Sequence, residues 1–178
     1  MILGIMSDTH GHLTEMRFVA KKMIEEFGAE IIIHLGDDST DAEDLRAACS
    51  EVITVPGVFE AKYADPNVPN RIIREFDGIP FLLTHTPVKD KHDLEGDIDP
   101  TETAQDGDAK VVLYGHTHQH MISEKHGAIY INPGHLKMDD NRGFEPSFAI
   151  IRTAPQKIDV KIIGLRENVL EEKTFFVE

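Results

Sequence analysis

The chain lacks tryptophan, has a single cysteine, and contains no apolar run approaching the roughly 20 residues that a membrane-spanning helix needs. Its first residues, "MILGIMSD", meet Asp8 with no basic segment ahead of them, so they read as a buried strand rather than a secretion signal. A cytoplasmic protein is expected. The one cysteine, Cys49, excludes an intrachain disulfide, and in "DLRAACS" it falls on a helix-like apolar face, which suits an inert core thiol better than a nucleophile. Basic residues are scarce: 18 Lys and Arg stand against 32 Asp and Glu, a formal charge of −14. Proteins that bind nucleic acid usually carry a basic stripe, and none is visible, so neither nucleic acid nor a membrane surface is an expected partner. Any phosphate chemistry would have to rest on bound cations instead of Lys and Arg.

What is present describes one globular domain spanning 1–178, with 40% hydrophobic and 28% charged residues and no repeat or low-complexity stretch. Association into a homo-oligomer is compatible with this composition. The first half alternates short apolar runs with helical patterns. "ILGIMS" reads as a strand, and "LTEMRFVAKKMIEEFG" places Met16, Val19, Ala20, Met23, Ile24 and Phe27 at helical spacing, closed by Gly28. "EIIIHL" and "EVITV" are further strands. Between them, "TDAEDLRAAC" has Thr40 and Glu43 at capping-box spacing and predicts a helix. This alternation is the signature of parallel strands with crossover helices.

From residue 70 the pattern turns to hairpins. "RIIREF" and "IPFLLT" flank Asp77-Gly78, "MISEK" and "AIYIN" flank His126-Gly127, and "PSFAIIRT" and "KIDVKIIGL" form a last pair. "DPTETAQDGD" predicts one short helix. The stretch from Arg166 onward gives no decisive pattern.

The informative residues stand directly behind the apolar runs. After "ILGIMS" come Asp8 and His10, after "EIIIHLG" Asp37, after "IPFLLT" His85, and after "VVLYG" His116 and His118. In α/β sheets ligands bind off the carboxyl ends of strands, and four separate runs deliver six oxygen and nitrogen donors there. Two carboxylates and four imidazoles are too many for one four-coordinate ion but suit a pair sharing a carboxylate. A mixed set without thiolate favours Mn, Fe, Co, Ni or Zn over copper(I) or a cluster.

As an ordered set, "SDTHG", "HLGD", "LLTH", "YGHTH" and "INPG" resemble the calcineurin-like metallophosphoesterases, in particular the small prokaryotic phosphodiesterase branch that includes the retromer scaffold subunit. The resemblance runs from Ile2 to about Gly134. It implies an α/β fold, a four-layer α/β/β/α sandwich of two mixed sheets. It further implies a metal-dependent phosphoesterase that hydrolyses a small phosphoester substrate with a hydroxide held between two divalent transition metals, Mn first among them. Asp8, His10 and His118 would then hold the first metal, Asp37 would bridge, and His85 and His116 would hold the second. Asp37, His85 and His116 are the residues it places in catalysis. His12, His34 and His120 fall outside the motifs, His34 as a core or supporting residue and His120 as a surface one.

One motif departs from the family. Where the resemblance predicts Gly-Asn followed by His or Cys, the chain has "TVPGVFE": Gly57, then Val58 in place of a metal-ligating asparagine, then Phe59, then Glu60. In larger relatives the Phe59 position is a histidine that protonates the leaving group. The second metal site is therefore expected to be weak, with Asp38, Glu60 and His135 as substitutes for the missing ligand. Two functions are compatible with this pattern: an active phosphoesterase with an unequal metal pair, or a scaffold of the same fold that binds metal without turnover.

Overall fold

In the computed structural model, which describes residues 1–177, two mixed sheets lie face to face. The first carries β1 (Ile2–Met6), β2 (Ile31–His34) and β3 (Glu51–Thr54), all parallel, with β9 (Ser147–Ala154), β10 (Lys157–Gly164) and β11 (Val169–Phe176) added antiparallel in the order β11-β10-β9-β1-β2-β3. The second runs β4-β5-β6-β8-β7, from β4 (Arg71–Phe76), β5 (Ile79–Thr84), β6 (Val111–Leu113), β7 (Met121–Lys125) and β8 (Ala128–Asn132). Its strands β5, β6 and β8 are parallel, and its two edge pairs are antiparallel.

Side chains of a strand alternate faces, and here both faces are apolar. Leu3, Ile5, Ile31 and Ile33 of the first sheet meet Phe81, Leu83, Val111, Leu113, Ile129 and Ile131 of the second in a common core. The residues between them point outward. Met6 and Ile32 pack under α1 (Leu13–Glu25), whose Met16, Val19, Ala20 and Met23 face the sheet. Leu82, Val112 and Tyr130 pack with Ala104 of α2 (Pro100–Gln105) on the far side. The result is the expected α/β/β/α order. α1 rides close to β1 because Gly4 has no side chain: a Cβ there would come within 2.6 Å of Met23 Sδ.

The hairpin dipeptides behave as the sequence indicates. Asp77-Gly78 has φ of 50° and 80°, and His126-Gly127 has 54° and 78°, the paired positive values of a tight I′ turn. Cys49 is buried in the apolar cluster beneath α1.

Two expectations need correction. Residues Ser39–Ala47 form a 3₁₀ helix, not an α-helix, and it begins at Asp38 without a side-chain cap. Thr40 and Glu43 form no capping box, because Glu43 accepts from Arg46 Nε at 2.8 Å instead. The undecided C-terminal stretch supplies β11, an edge strand whose Glu171 and Lys173 also bond the backbone of Ile122 in the other sheet.

Candidate metal centre

The carboxyl ends of β1 and β2 in one sheet and of β5 and β6 in the other open onto the same edge of the sandwich. Backbone hydrogen bonds knit the loops there: Asp8 N donates to Gly36 O at 2.8 Å, His10 N to Asp37 O at 3.2 Å, and Gly115 N to His85 O at 3.0 Å. The "INPG" motif has a visible task, since Asn132 Nδ2 donates to Gly115 O at 2.8 Å and to Thr117 Oγ1 at 3.0 Å, holding the loop that carries His116 and His118.

Five of the six donor residues sit in the left-handed backbone region: Asp8, His10, Asp37, His116 and His118, with φ between 46° and 66°. Each such non-glycine residue costs on the order of 1–3 kcal/mol and persists only where the surroundings over-determine it. Their clustering at one edge marks a site held against local preference.

The donors gather in two triads. Asp8, His10 and His118 form one, and Asp37, His85 and His116 the other, with the ligand atoms in each within 4.8 Å of one another. In the first, His118 Nε2 lies 3.2 Å from Asp8 Oδ1 and 3.1 Å from His10 Nε2. In the second, His85 Nε2 lies 3.3 Å from Asp37 Oδ2 and 3.2 Å from His116 Nδ1. Asp37 Oδ2 stands 4.0 Å from His10 Nε2, so Asp37 lies between the triads.

Tautomers follow from the partners behind the rings. His85 Nδ1 faces Leu35 O at 2.6 Å; a carbonyl only accepts, so Nδ1 carries the hydrogen, and in the neutral ring Nε2 turns its lone pair into the triad. The neighbouring carboxylates favour a second proton on Nε2, for which a cation would substitute. Burial pushes the Asp37 carboxyl up, but its hydrogen bond to His85 and the neighbouring imidazoles hold it below the ordinary carboxylate range. Burial pushes His85 down, and the bond to Asp37 with the charge of Asp8 outweighs it, so its pKa rises. Burial and the charge of His85 lower His116. Imidazole nitrogens and carboxylate oxygens gathered this closely make places that attract a cation, and the donor types fit divalent transition ions.

His34 is fully buried, accepts Gly36 N at its Nδ1 at 3.3 Å and pairs with the Thr9 hydroxyl. Burial drives its pKa down to about 4, so it is a neutral strut behind the loops that carry Asp8 and Asp37. His120 packs edge-on against Phe144 and belongs to neither triad, half-buried where a surface position was expected. His12 stays partly exposed, 3.3 Å from Asp139.

None of the three substitutes for the missing asparagine joins the second triad. Asp38 is exposed. Glu60 commits its carboxylate to the loop, accepting from Gly57 N at 2.6 Å, Asp37 N at 3.2 Å, and Ser39 N at 2.9 Å and Oγ at 2.5 Å. His135 stacks on His118 of the first triad. Val58 is 5% exposed yet belongs to none of the apolar clusters. Phe59 is 76% exposed, its ring centroid 6.4 Å from that of His116 and 5.7 Å from that of His92. Gly57 must be glycine, because a Cβ would run into the Asp37 carboxylate. Two carboxylates shape the site in ways the sequence reading missed: Glu60, singled out there as a substitute ligand, is a backbone hub, and Asp140, not singled out at all, stands against His118.

Comparison with known proteins identifies the family and the fold. The pattern described as "Calcineurin-like phosphoesterase superfamily domain" matches residues 1–155. A probable metallophosphoesterase of Methanothermobacter thermautotrophicus is 27% identical over 181 residues, covering 98% of this chain and 99% of that one. A phosphodiesterase of Methanocaldococcus jannaschii is 28% identical over 150 residues, 75% of this chain and 83% of that one. Among solved structures, Vps29 of Chaetomium thermophilum superposes with a TM-score of 0.75 at 16% identity, over 99% of this chain and 95% of its own, which is a likeness of fold.

Proposed function

We propose that this chain, which belongs to the calcineurin-like phosphoesterase superfamily, hydrolyses small phosphoesters with the help of two divalent metal ions, Mn being the first candidate. The observation that carries the proposal is the pair of triads: six buried or half-buried donors from the loops behind four strands of two sheets, their ligand atoms gathered into two neighbouring groups. In this reading Asp8, His10 and His118 hold one ion, His85 and His116 the other, and Asp37 stands between. When bound, such an ion pair activates a water near neutral pH and neutralises the phosphoryl charge, a task that a chain of net charge −14 cannot give to Lys and Arg.

The chain's own residues set the rest. His116 N donates to both carboxylate oxygens of Asp8, at 3.2 and 3.0 Å, so the two triads are coupled through one loop. Glu60 holds the backbone of Asp37 and Gly57 together, which keeps Asp37 between the triads. Phe59 borders His116 and has no proton to give, so leaving groups that depart as stabilised anions, such as phenolates, turn over faster than alkoxides.

The experiment is hydrolysis of an aryl phosphodiester and an aryl phosphate by purified protein, with Mn, Ni, Co, Fe or Zn added in turn. Expected is metal-dependent turnover that Asp37→Asn abolishes. Equal inertness of the wild type and Asp37→Asn with every metal would leave a metal-binding scaffold as the function.

A further inference from the structure

Asp140 lies outside both triads, in the turn beyond Gly134, yet its Oδ1 stands 2.8 Å from His118 Nδ1 and its side chain is 5% exposed. A carboxylate only accepts, so Nδ1 carries the hydrogen and Nε2 keeps its lone pair. Nε2 is the atom that faces Asp8 and His10. The other oxygen of Asp140 accepts Arg142 N at 3.0 Å, and the Arg142 guanidinium donates to His116 O at 3.1 Å. His135, fully buried, stacks on His118 with ring centroids 5.1 Å apart and planes at 26°. Its Nε2 donates to Phe144 O at 3.1 Å, which leaves Nδ1 buried without a partner. The His118 ring is thus gripped on its face by one residue and on its back edge by another.

His118, His135 and Asp140 also come close enough together to hold an ion of their own. Hydrogen bonding accounts for them better. The Asp140–His118 contact has hydrogen-bond length, and His135 Nε2 is turned to a carbonyl, 3.8 Å from Asp140 Oδ2.

We propose that Asp140 is a positioning residue of the first metal site: by holding the Nδ1 hydrogen of His118 it fixes the tautomer and direction of that ligand, while His135 fixes the ring plane. This rests on the two-metal reading above. A metal-bound imidazole usually gives its other N–H to such a partner, and losing the partner typically weakens metal affinity by roughly 10- to 100-fold.

The test is Mn titration of wild type, Asp140→Asn and Asp140→Ala, together with ¹⁵N spectra of the histidine rings in metal-free protein. Expected is a loss of roughly 10- to 100-fold in affinity at the tighter site in Asp140→Ala, with much of it restored in Asp140→Asn, whose amide oxygen accepts the same hydrogen. The Nδ1–H form of His118 should dominate in wild type and lose its dominance in Asp140→Ala. Should Asp140→Ala fail to fold, Asp140→Ser makes the same comparison with a hydroxyl too short to reach the ring. Unchanged affinity in the variants against a metal-binding wild type overturns this proposal alone. Loss of one metal equivalent with the tighter site intact also overturns it, and makes the third group an ion site. A wild type that takes up no Mn sinks the two-metal reading and this role with it.

Discussion

The Nε2 atoms of His10 and His118 lie 3.1 Å apart. Two imidazole nitrogens this close, beside the Asp8 carboxylate, are spaced to share either a hydrogen or a cation. The same relation recurs between His85 and His116 at 3.2 Å. The two places differ in that the family resemblance puts an asparagine ligand at the second, where the chain has Val58.

Metal content should therefore be unequal. After exhaustive dialysis of protein loaded with Mn or Zn, elemental analysis should give nearer one ion than two per chain, with the second returning only at high free metal. Two ions retained equally would show that the second triad is complete without an asparagine.

Val58→Asn should change the second site with a sign that depends on metal. Val58 is buried outside the apolar clusters, so an asparagine there without an ion leaves a buried amide unsatisfied and costs about 1–3 kcal/mol. With Mn bound the amide gains a partner, and second-site affinity should rise by roughly 10- to 100-fold. Thermal melts with and without Mn read both effects. Lower stability with no gain in affinity would mean that this loop is not a metal loop.

Gly57→Ala probes the same loop by crowding. The added methyl meets the Asp37 carboxylate, with Cγ and the backbone N each 2.8 Å from its ideal position. Overpacking of this kind typically costs about 1–3 kcal/mol, and here the displaced group is the carboxylate proposed to stand between the two ions. Turnover should fall to the level of Asp37→Asn while the melting temperature drops only modestly. Activity within twofold of wild type would show that Asp37 need not stay where it is.

His34 predicts an acid sensitivity that metal does not explain. Its folded pKa is depressed to about 4 from 6.5 by burial. Between those values the unfolded chain binds the proton and the folded chain does not, so stability falls as pH drops from about 6.5 toward 4. The full loss is about 3 kcal/mol. Denaturation in chelator at pH 7 and pH 4.5 should show a smaller fall for His34→Gln than for wild type. Equal falls would assign the acid sensitivity to other groups.

Most strands were legible because their two buried faces make short apolar runs bounded by turn residues. β11 was not. Its "VLEEKTFF" has an exposed Glu172 and Lys173 in mid-strand, and its pairing is imposed by β10 rather than by a pattern of its own. The 3₁₀ helix was misread because Thr40 and Glu43 have cap spacing, while the structure gives Glu43 to Arg46. The convergence of the six donors could be anticipated, since each lies just behind an apolar run at the edge where loops meet. The tasks of Glu60 and Asp140 could not. Each acts on residues about 20 positions away, across loops whose path no local periodicity encodes.

Each triad draws donors from both halves of the sandwich: Asp8 and His10 with His118, and Asp37 with His85 and His116. An ion bound at either place is therefore a rivet between the sheets, and its binding free energy adds directly to their docking. At a free ion concentration of 100 times Kd that is about 2.7 kcal/mol. A chain synthesised only as far as Asp37 offers Asp8, His10 and Asp37 and none of the four-strand enclosure, so it competes poorly for metal. Ion uptake would then be a receipt for finished folding, issued only when residues separated by more than a hundred positions have met.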